Sequence, residues 1–142
     1  PNNQSASCSA CTSGRYLPTS SSVSNHISVS QCLACNTGKY TPHNGDYRCH
    51  ICGASYYQNQ NGMPSCKHCN SGYYTNQNIA NIICKACPKG FYQPSTRQTS
   101  CAACQTGYFN DQLAQPSCTK QCSPGRYGDG NGFTLYTQCK LW

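Results

Sequence analysis

A cysteine motif that occurs seven times constrains this chain more than any other feature. Each copy reads C-x-x-C-x-x-G-x-aromatic, except that the third has Ser55 in place of the glycine and the last has an extra residue between its cysteines. From Cys32 to Cys118 the first cysteines are 17 or 18 residues apart. Such a period predicts one tandem array over residues 1–142, expected to be a mature product or a piece of a longer chain. Its repeats start near residues 8, 32, 49, 66, 84, 101 and 118.

The composition explains why these cysteines have to hold the fold together. Cysteine accounts for 15 of the 142 residues, and Leu, Ile, Val and Phe together account for only another 15. That apolar content is well below the roughly one-fifth that a packed hydrophobic core requires. The chain therefore needs covalent staples, and repeats of this size must stack on their neighbours to bury any surface. We predict a small disulfide-rich fold, mostly irregular with short β-hairpins, built as an elongated tandem-repeat rod.

The other positions that recur in the motif have local structural roles. The glycine indicates a turn with positive φ or a close backbone approach, and the residues around the aromatic favour a short strand. The two residues between the cysteines of each pair are predicted to form a hinge between repeats. The aromatic side chains, which follow the second cysteine by five positions, are expected to cover a disulfide or the next repeat: Tyr16, Tyr40, Tyr57, Tyr74, Tyr92, Phe109 and Tyr127.

Three kinds of chemistry use closely spaced cysteine pairs. Zinc sites take four ligands, but seven pairs leave one pair without a partner set, and the four histidines have no repeated position. A redox pair begins a helix that follows a strand, and no copy has that context. Disulfides remain as the favoured interpretation, with no metal and no cofactor. They persist in oxidising compartments, so the protein is expected to be secreted or displayed on the cell surface.

One pairing scheme joins the second cysteine of each pair to the first cysteine of the next pair. A crossed scheme, such as Cys8–Cys32 with Cys11–Cys35, fits the spacing too and leaves the odd cysteine near the C-terminus. The sequential scheme leaves Cys8 unpaired within the chain, free to bond an upstream cysteine or another subunit. Its pairs are Cys11–Cys32, Cys35–Cys49, Cys52–Cys66, Cys69–Cys84, Cys87–Cys101, Cys104–Cys118 and Cys122–Cys139.

The stretch CPKGFYQPSTRQTSC and the matching stretches of the other repeats resemble the cysteine-rich repeats of ephrin receptors. They are also similar to the first half-module of tumour-necrosis-factor-receptor (TNFR-like) repeats and to cysteine-rich surface antigens of ciliates and other protists. The resemblance implies a C-x-x-G-x-Y loop closed by the next cysteine, in agreement with the sequential scheme. It also implies extracellular rods, coats or receptor stalks rather than catalysis.

The remaining side chains offer little reactive chemistry. Asp46, Asp111 and Asp129 are the only carboxylates and are scattered, so an enzyme is not expected. The net charge is +7, without a basic cluster suited to nucleic acid, and no apolar run has membrane-spanning length. Asn3 lies in the one N-glycosylation sequon, so the protein is a candidate glycoprotein.

Four cations just before a repeat aromatic could form a stripe along stacked repeats, which favours binding to acidic glycans. The alternative is that they serve solubility and local cation–π contacts. These cations are Arg15, Lys39, Lys89 and Arg126.

Two functions fit this pattern. The first is a non-catalytic extracellular structural protein, a building block of a surface coat or filament that assembles with its own repeats. The alternative is a receptor or adhesion ectodomain segment that binds a protein or glycan ligand.

Overall fold

The computed structural model describes residues 10–18, 29–128 and 130–141. These residues contain two 3₁₀ turns, Val29–Gln31 and Tyr136–Gln138, fourteen strands of two residues each, and no α-helix. The prediction of a small, mostly irregular, disulfide-rich fold with short β-hairpins is therefore confirmed. The strands are β1 (Arg15–Tyr16), β2 (Leu33–Ala34), β3 (Lys39–Tyr40), β4 (His50–Ile51), β5 (Tyr56–Tyr57), β6 (Lys67–His68), β7 (Tyr73–Tyr74), β8 (Lys85–Ala86), β9 (Phe91–Tyr92), β10 (Ala102–Ala103), β11 (Tyr108–Phe109), β12 (Lys120–Gln121), β13 (Arg126–Tyr127) and β14 (Lys140–Leu141).

Consecutive strands pair to form seven two-stranded sheets, β1 with β2 through β13 with β14. In the first hairpin the aromatic Tyr16 pairs with Leu33, the residue that follows the closing cysteine. The same register recurs in the β3–β4, β7–β8, β9–β10 and β13–β14 hairpins. In β11–β12, Phe109 pairs with Lys120, two residues after the closing cysteine, because this cysteine pair contains an extra residue. The two residues between the cysteines of a C-x-x-C pair thus form the return strand of the preceding loop. The prediction that they form a hinge is wrong, because their backbone groups hydrogen-bond to the aromatic strand.

Seven disulfides close seven successive loops, which we number as repeats one to seven. Each disulfide joins the second cysteine of one pair to the first cysteine of the next, and the Cα–Cα distances lie between 5.6 and 5.8 Å. The bonds are Cys11–Cys32, Cys35–Cys49, Cys52–Cys66, Cys69–Cys84, Cys87–Cys101, Cys104–Cys118 and Cys122–Cys139.

The interior of the described residues consists of sulfur, backbone and polar side chains rather than hydrocarbon. Phe109, at 7% exposure, is the only buried apolar side chain among them that is not a cysteine. The second cysteines of the inner pairs are the most deeply buried, with exposures of 1% or less: Cys35, Cys52, Cys69, Cys87 and Cys104. Disulfides therefore occupy the place that a hydrophobic core has in larger domains.

The chain forms two compact units that interleave in sequence. The first contains Pro1–Gly53, Tyr57–Lys67 and Asn78–Ile82, and the second contains Ala54–Tyr56, His68–Gln77 and Ile83–Trp142. Within each unit, successive repeats are joined by backbone hydrogen bonds.

In the first unit, the repeat glycine exchanges two backbone bonds with the next repeat. Gly14 N donates to Thr41 O at 2.9 Å, and Cys35 N donates to Gly14 O at 3.0 Å. In the second unit, Gly72 makes the equivalent pair with Gln93 O and Cys87 N, both at 2.8 Å. The glycine therefore links neighbouring repeats as one step of a ladder.

In repeats two, three, five, six and seven, a second ladder bond starts from a turn residue late in the loop. Gly62 N donates to Cys35 O at 2.7 Å in the first unit, and Ala114 N donates to Cys87 O at 2.9 Å in the second. Gly62 and Ala114 both have positive φ, 68° and 58°. This turn lies over the repeat glycine two repeats earlier, so each loop contacts two others.

The repeat position requires glycine because the turn of the loop two repeats later lies directly against it. A β-carbon built on Gly14 would lie 2.0 Å from Gly62 O, and one on Gly72 would lie 2.1 Å from Ala114 O. No real side chain can occupy such positions unless the backbone shifts. A β-carbon built on Gly38 would lie 2.3 Å from Ala80 O, and one built on Gly90 would lie 2.1 Å from Gly132 O.

In repeats two to six, the residue that follows the repeat aromatic is polar and buried. Gln58 is 1% exposed, its Nε2 donates to Ser65 O at 2.7 Å, and its Oε1 accepts from Gln60 N at 3.1 Å. The amide thus clamps the far side of its own loop, beside the closing cysteine. Equivalent buried residues are Thr41, Thr75, Gln93 and Asn110.

Replacing Gln58 by methionine keeps the volume and removes both clamp bonds. We expect the free energy of unfolding to fall by about 2 kcal/mol, because Ser65 O and Gln60 N lose their partner. Gln98→Met is the control, because among the described residues that amide bonds only Thr96 O, in an exposed turn. Guanidinium unfolding with the disulfides intact measures the difference. Equal losses in the two variants would contradict the clamp.

Candidate functional site

Three of the repeat aromatics, Tyr16, Tyr74 and Tyr92, line surface grooves. Six of the seven are half-buried or buried, and Tyr127 is 37% exposed. Each groove is bounded by the aromatic of one repeat and by three positions of the next repeat. Those positions are one and four residues after its second cysteine, and the residue before its closing cysteine.

Three grooves with this arrangement occur in the described residues. The first groove, in the first unit, has a volume of about 460 Å³, and the other two, in the second unit, have about 270 and 260 Å³. The first groove is lined by Tyr16, Leu33, Ala34, Asn36, Lys39, Arg48 and Cys49. The second is lined by Tyr74, Asn76, Pro88, Phe91, Thr99, Ser100 and Cys101, and the third by Tyr92, Gln105, Tyr108, Ser117 and Cys118.

The first groove differs from the other two in its charge. Lys39 and Arg48 occupy positions that Phe91 and Ser100 fill in the second groove. Arg48 also lies over the ring of Tyr47, with its guanidinium carbon 5.5 Å from the ring centroid. In the part of the chain that the structure describes, neither Lys39 nor Arg48 forms an ion pair. The first groove is therefore a concave site with two uncompensated positive charges.

The predicted stripe of four cations is divided between two roles. Arg15 Nη1 donates to Cys32 O, and Arg126 Nη1 donates to Cys139 O, each at 3.0 Å. These two arginines therefore brace the closing cysteine of their own loop, and Arg126 also lies 5.1 Å from the Tyr136 ring centroid. Lys39 lines the first groove, and Lys89 is exposed elsewhere.

Sequence reasoning missed Arg48 and the buried polar residues. Arg48 directly precedes a closing cysteine, a position whose place in a groove becomes visible only in three dimensions. The buried polar residues do carry a sequence signal, since Thr, Gln or Asn follows the repeat aromatic in repeats two to six.

The described carboxylates serve structural roles. Asp46 Oδ2 accepts a hydrogen bond from His43 N at 3.3 Å. Asp111 forms the one ion pair found among the described residues, with Lys120. The hydrogen bond from Lys120 lowers the pKa of the Asp111 carboxyl below its ordinary value of 3.8. A carboxyl held in its ionised form in this way is a poor general acid.

We expect Lys120→Gln to raise the pKa of Asp111 toward 3.8, because it removes the charge that favours the carboxylate. Since the folded-state pKa lies below the unfolded value, the ion pair stabilises the protein above the unfolded pKa. That contribution is lost as the pH falls through the folded pKa. An NMR titration of the Asp111 carboxyl carbon measures the shift, and an unchanged pKa in the variant would contradict the assignment.

Several predicted positions lie outside the described residues. These are Cys8, with its predicted intermolecular bond, and Asn3, with its predicted glycan; both stay predictions. Within residues 10–18, 29–128 and 130–141, no group of three His, Cys, Asp or Glu side chains is placed to hold a metal ion. In the same part of the chain, no helix has the length and apolarity needed to cross a membrane.

A family model of cysteine-rich repeats, described as tyrosine-protein kinase ephrin type A/B receptor-like, matches the chain twice. The matches cover residues 38–83 and 78–112, slightly more than half of the sequence. The chain belongs to the ephrin-receptor-like family. No curated protein matches it.

Membership in the ephrin-receptor-like family agrees with the tandem disulfides. Both features are typical of extracellular proteins and of receptor-type ectodomain segments. The two matches span the second to sixth repeats, where the spacing of the cysteine pairs is most regular.

Proposed function

We propose that this chain is a non-catalytic extracellular structural segment, a building block of a surface coat or filament that assembles end to end. The observation that carries the proposal is a contact that recurs between repeats. Gly14, Gly38, Gly72 and Gly90 are each covered by a carbonyl from two repeats later, and Gly107 and Gly125 offer the same contact to a further cysteine-rich repeat, of this chain or of another copy.

Gly107 and Gly125 keep the geometry of the covered glycines. Their φ values are 86° and 82°, and Gly107 O still accepts a bond from Cys122 N at 2.9 Å. A loop from another cysteine-rich repeat would meet the same surface that Gly72 and Gly90 offer within the chain. We name the surface around Gly107 and Gly125 the open notches.

A suitable loop exists in the second repeat of the chain. Gly45 is exposed, has a φ of 80°, and occupies the loop position that Gly62 and Gly132 occupy elsewhere. Its amide bonds Cys11 O at 2.7 Å, so the turn is held in the conformation that docks on a repeat glycine. In the proposed assembly, the Gly45 turn of one copy covers Gly125 of the next.

Electron microscopy of the purified oxidised protein tests this proposal. We expect linear assemblies at high protein concentration, and we expect Gly107→Asn/Gly125→Asn to remain monomeric. Asparagine tolerates positive φ, so the variant fills the open notches with little backbone strain. Lys85→Gln is a control substitution on an exposed strand away from the notches. Monodisperse particles of the unaltered protein at all concentrations would overturn the filament proposal.

A receptor or adhesion segment that binds a protein or glycan ligand is the second candidate. The first groove favours it, and so do Ile79 and Ile82 in the fourth repeat, which are 58% and 54% exposed. Saturable binding of the fluorescently labelled protein to intact cells would support this candidate. Absence of binding to every cell type tested would remove it.

A further inference from the structure

We propose that the first groove is a binding site for an acidic saccharide that carries sulfate or carboxylate groups. This inference rests on the second candidate function, a ligand-binding ectodomain segment, and assigns to it a site and a ligand class. The groove is formed by repeats one and two, within the first unit, and no carboxylate is among its lining residues.

The charge of the groove selects an anion. Lys39 and Arg48 are its two cations, and the described carboxylate nearest in sequence, Asp46, bonds the backbone of its own turn. A guanidinium group binds sulfate or carboxylate oxygens in pairs, and an ammonium group adds a second point of attraction. Because neither cation has an acidic partner in the described structure, an anionic ligand displaces no existing ion pair.

The remaining lining residues suit a sugar ring. The Tyr16 ring and the Leu33 side chain, which is 49% exposed, provide an apolar surface for the C–H face of a saccharide. The Asn36 amide supplies both a donor and an acceptor for hydroxyl groups. The volume of about 460 Å³ lies in the range of small-ligand sites.

The strands beside the groove argue against an extended acidic peptide as the ligand. β1, β2 and β3 are two residues long, so an added peptide strand would gain few main-chain hydrogen bonds. Recognition therefore has to come from side chains, as in a saccharide site.

The third groove is an internal reference for this assignment. Gln105, Tyr108 and Ser117 occupy the positions of Asn36, Lys39 and Arg48, and Tyr92 occupies the position of Tyr16. The aromatic wall and the amide-bearing side chain are thus retained, and the two cations are absent. If charge decides binding, an acidic saccharide binds the first groove and leaves the third unoccupied.

The test is a titration of the intact oxidised protein with a fully sulfated heparin disaccharide, followed by calorimetry and by ¹H–¹⁵N NMR. We expect the largest NMR shifts at Tyr16, Leu33 and Asn36, and none around Tyr108. Lys39→Gln/Arg48→Gln should weaken binding by about tenfold or more, since it removes both charge-assisted contacts. Lys85→Gln/Lys89→Gln removes the same charge from exposed positions outside the grooves, and binding should change less than about twofold.

Three results would overturn the inference. These are no binding of the disaccharide at millimolar concentration, equal weakening by the two double variants, or tighter binding of a poly-glutamate peptide than of the saccharide. Binding of the protein to intact cells shows whether only the groove assignment fails or whether the ligand-binding ectodomain function fails as well. Binding that survives Lys39→Gln/Arg48→Gln removes the groove assignment and keeps a ligand-binding ectodomain, whereas loss of all cell binding in the unaltered protein removes both.

Discussion

Replacing Gly72 by alanine is expected to lower the free energy of unfolding by about 2–5 kcal/mol. About 1–2 kcal/mol comes from placing a β-carbon at a φ of 79°. A further ~1–3 kcal/mol comes from overpacking, because the new carbon would lie 2.1 Å from Ala114 O and the two repeats would have to separate. The midpoint of guanidinium unfolding, followed by tyrosine fluorescence with the disulfides intact, measures the loss.

Gly107→Ala is the matched control for that substitution. Gly107 occupies the same motif position with a φ of 86°, but no described atom lies within 4 Å of its built β-carbon. Only the backbone cost of about 1–2 kcal/mol should appear. If Gly72→Ala and Gly107→Ala were equally destabilised, the contact between a glycine and the loop two repeats later would have no energetic role.

Removal of the fifth disulfide by Cys87→Ala/Cys101→Ala is expected to cost about 3 kcal/mol from loop closure alone. The loss should also spread along the chain, because Cys87 N bonds Gly72 O and Cys87 O accepts from Ala114 N. Hydrogen exchange should therefore accelerate in repeats four to six. Because each repeat is bonded to nearby repeats, a local defect spreads along the array in this way.

Removal of the last disulfide, by Cys122→Ala/Cys139→Ala, provides the comparison. Its sequence separation is 17 residues against 14 for Cys87–Cys101, so the loop-closure contribution is nearly the same. Faster exchange should be confined mainly to the seventh repeat, because Cys122 has a described ladder bond only to Gly107. If faster hydrogen exchange extended over equally many repeats in both variants, the backbone bonds of Cys87 to Gly72 and Ala114 would not be what couples the repeats.

The cysteine spacing and the low apolar content were sufficient to predict the class of fold. The repeat glycine was also interpretable from sequence, because its recurrence indicated positive φ or a close approach, and both occur at Gly72. The identity of the approaching group was not predictable, since it comes from a turn two repeats further along the chain. A motif that recurs once in every repeat gives no direct indication of which residues two repeats apart are in contact.

The buried polar positions and the charged groove could not be predicted from the sequence, for a different reason. A glutamine such as Gln58 is usually exposed, and its burial follows from backbone groups of its own loop that need partners. The groove cations Lys39 and Arg48 are nine residues apart and meet only because the Cys35–Cys49 disulfide closes the loop that carries them. The hinge predicted within each cysteine pair was wrong because those two residues satisfy their backbone groups in a hairpin.

Peptide mapping of the unreduced protein by mass spectrometry tests the central claim, that sequential disulfides replace a hydrophobic core. Cleavage between the two cysteines of each C-x-x-C pair, together with cleavage within the loops, should yield peptides linked as Cys35–Cys49, Cys52–Cys66 and Cys87–Cys101, with the other four pairs following the same order. Thiol titration of the same sample under denaturing conditions should find at most one free thiol among the 15 cysteines. Crossed linkages between alternate cysteines, or a chain that keeps its fold with a dozen free thiols, would contradict this account.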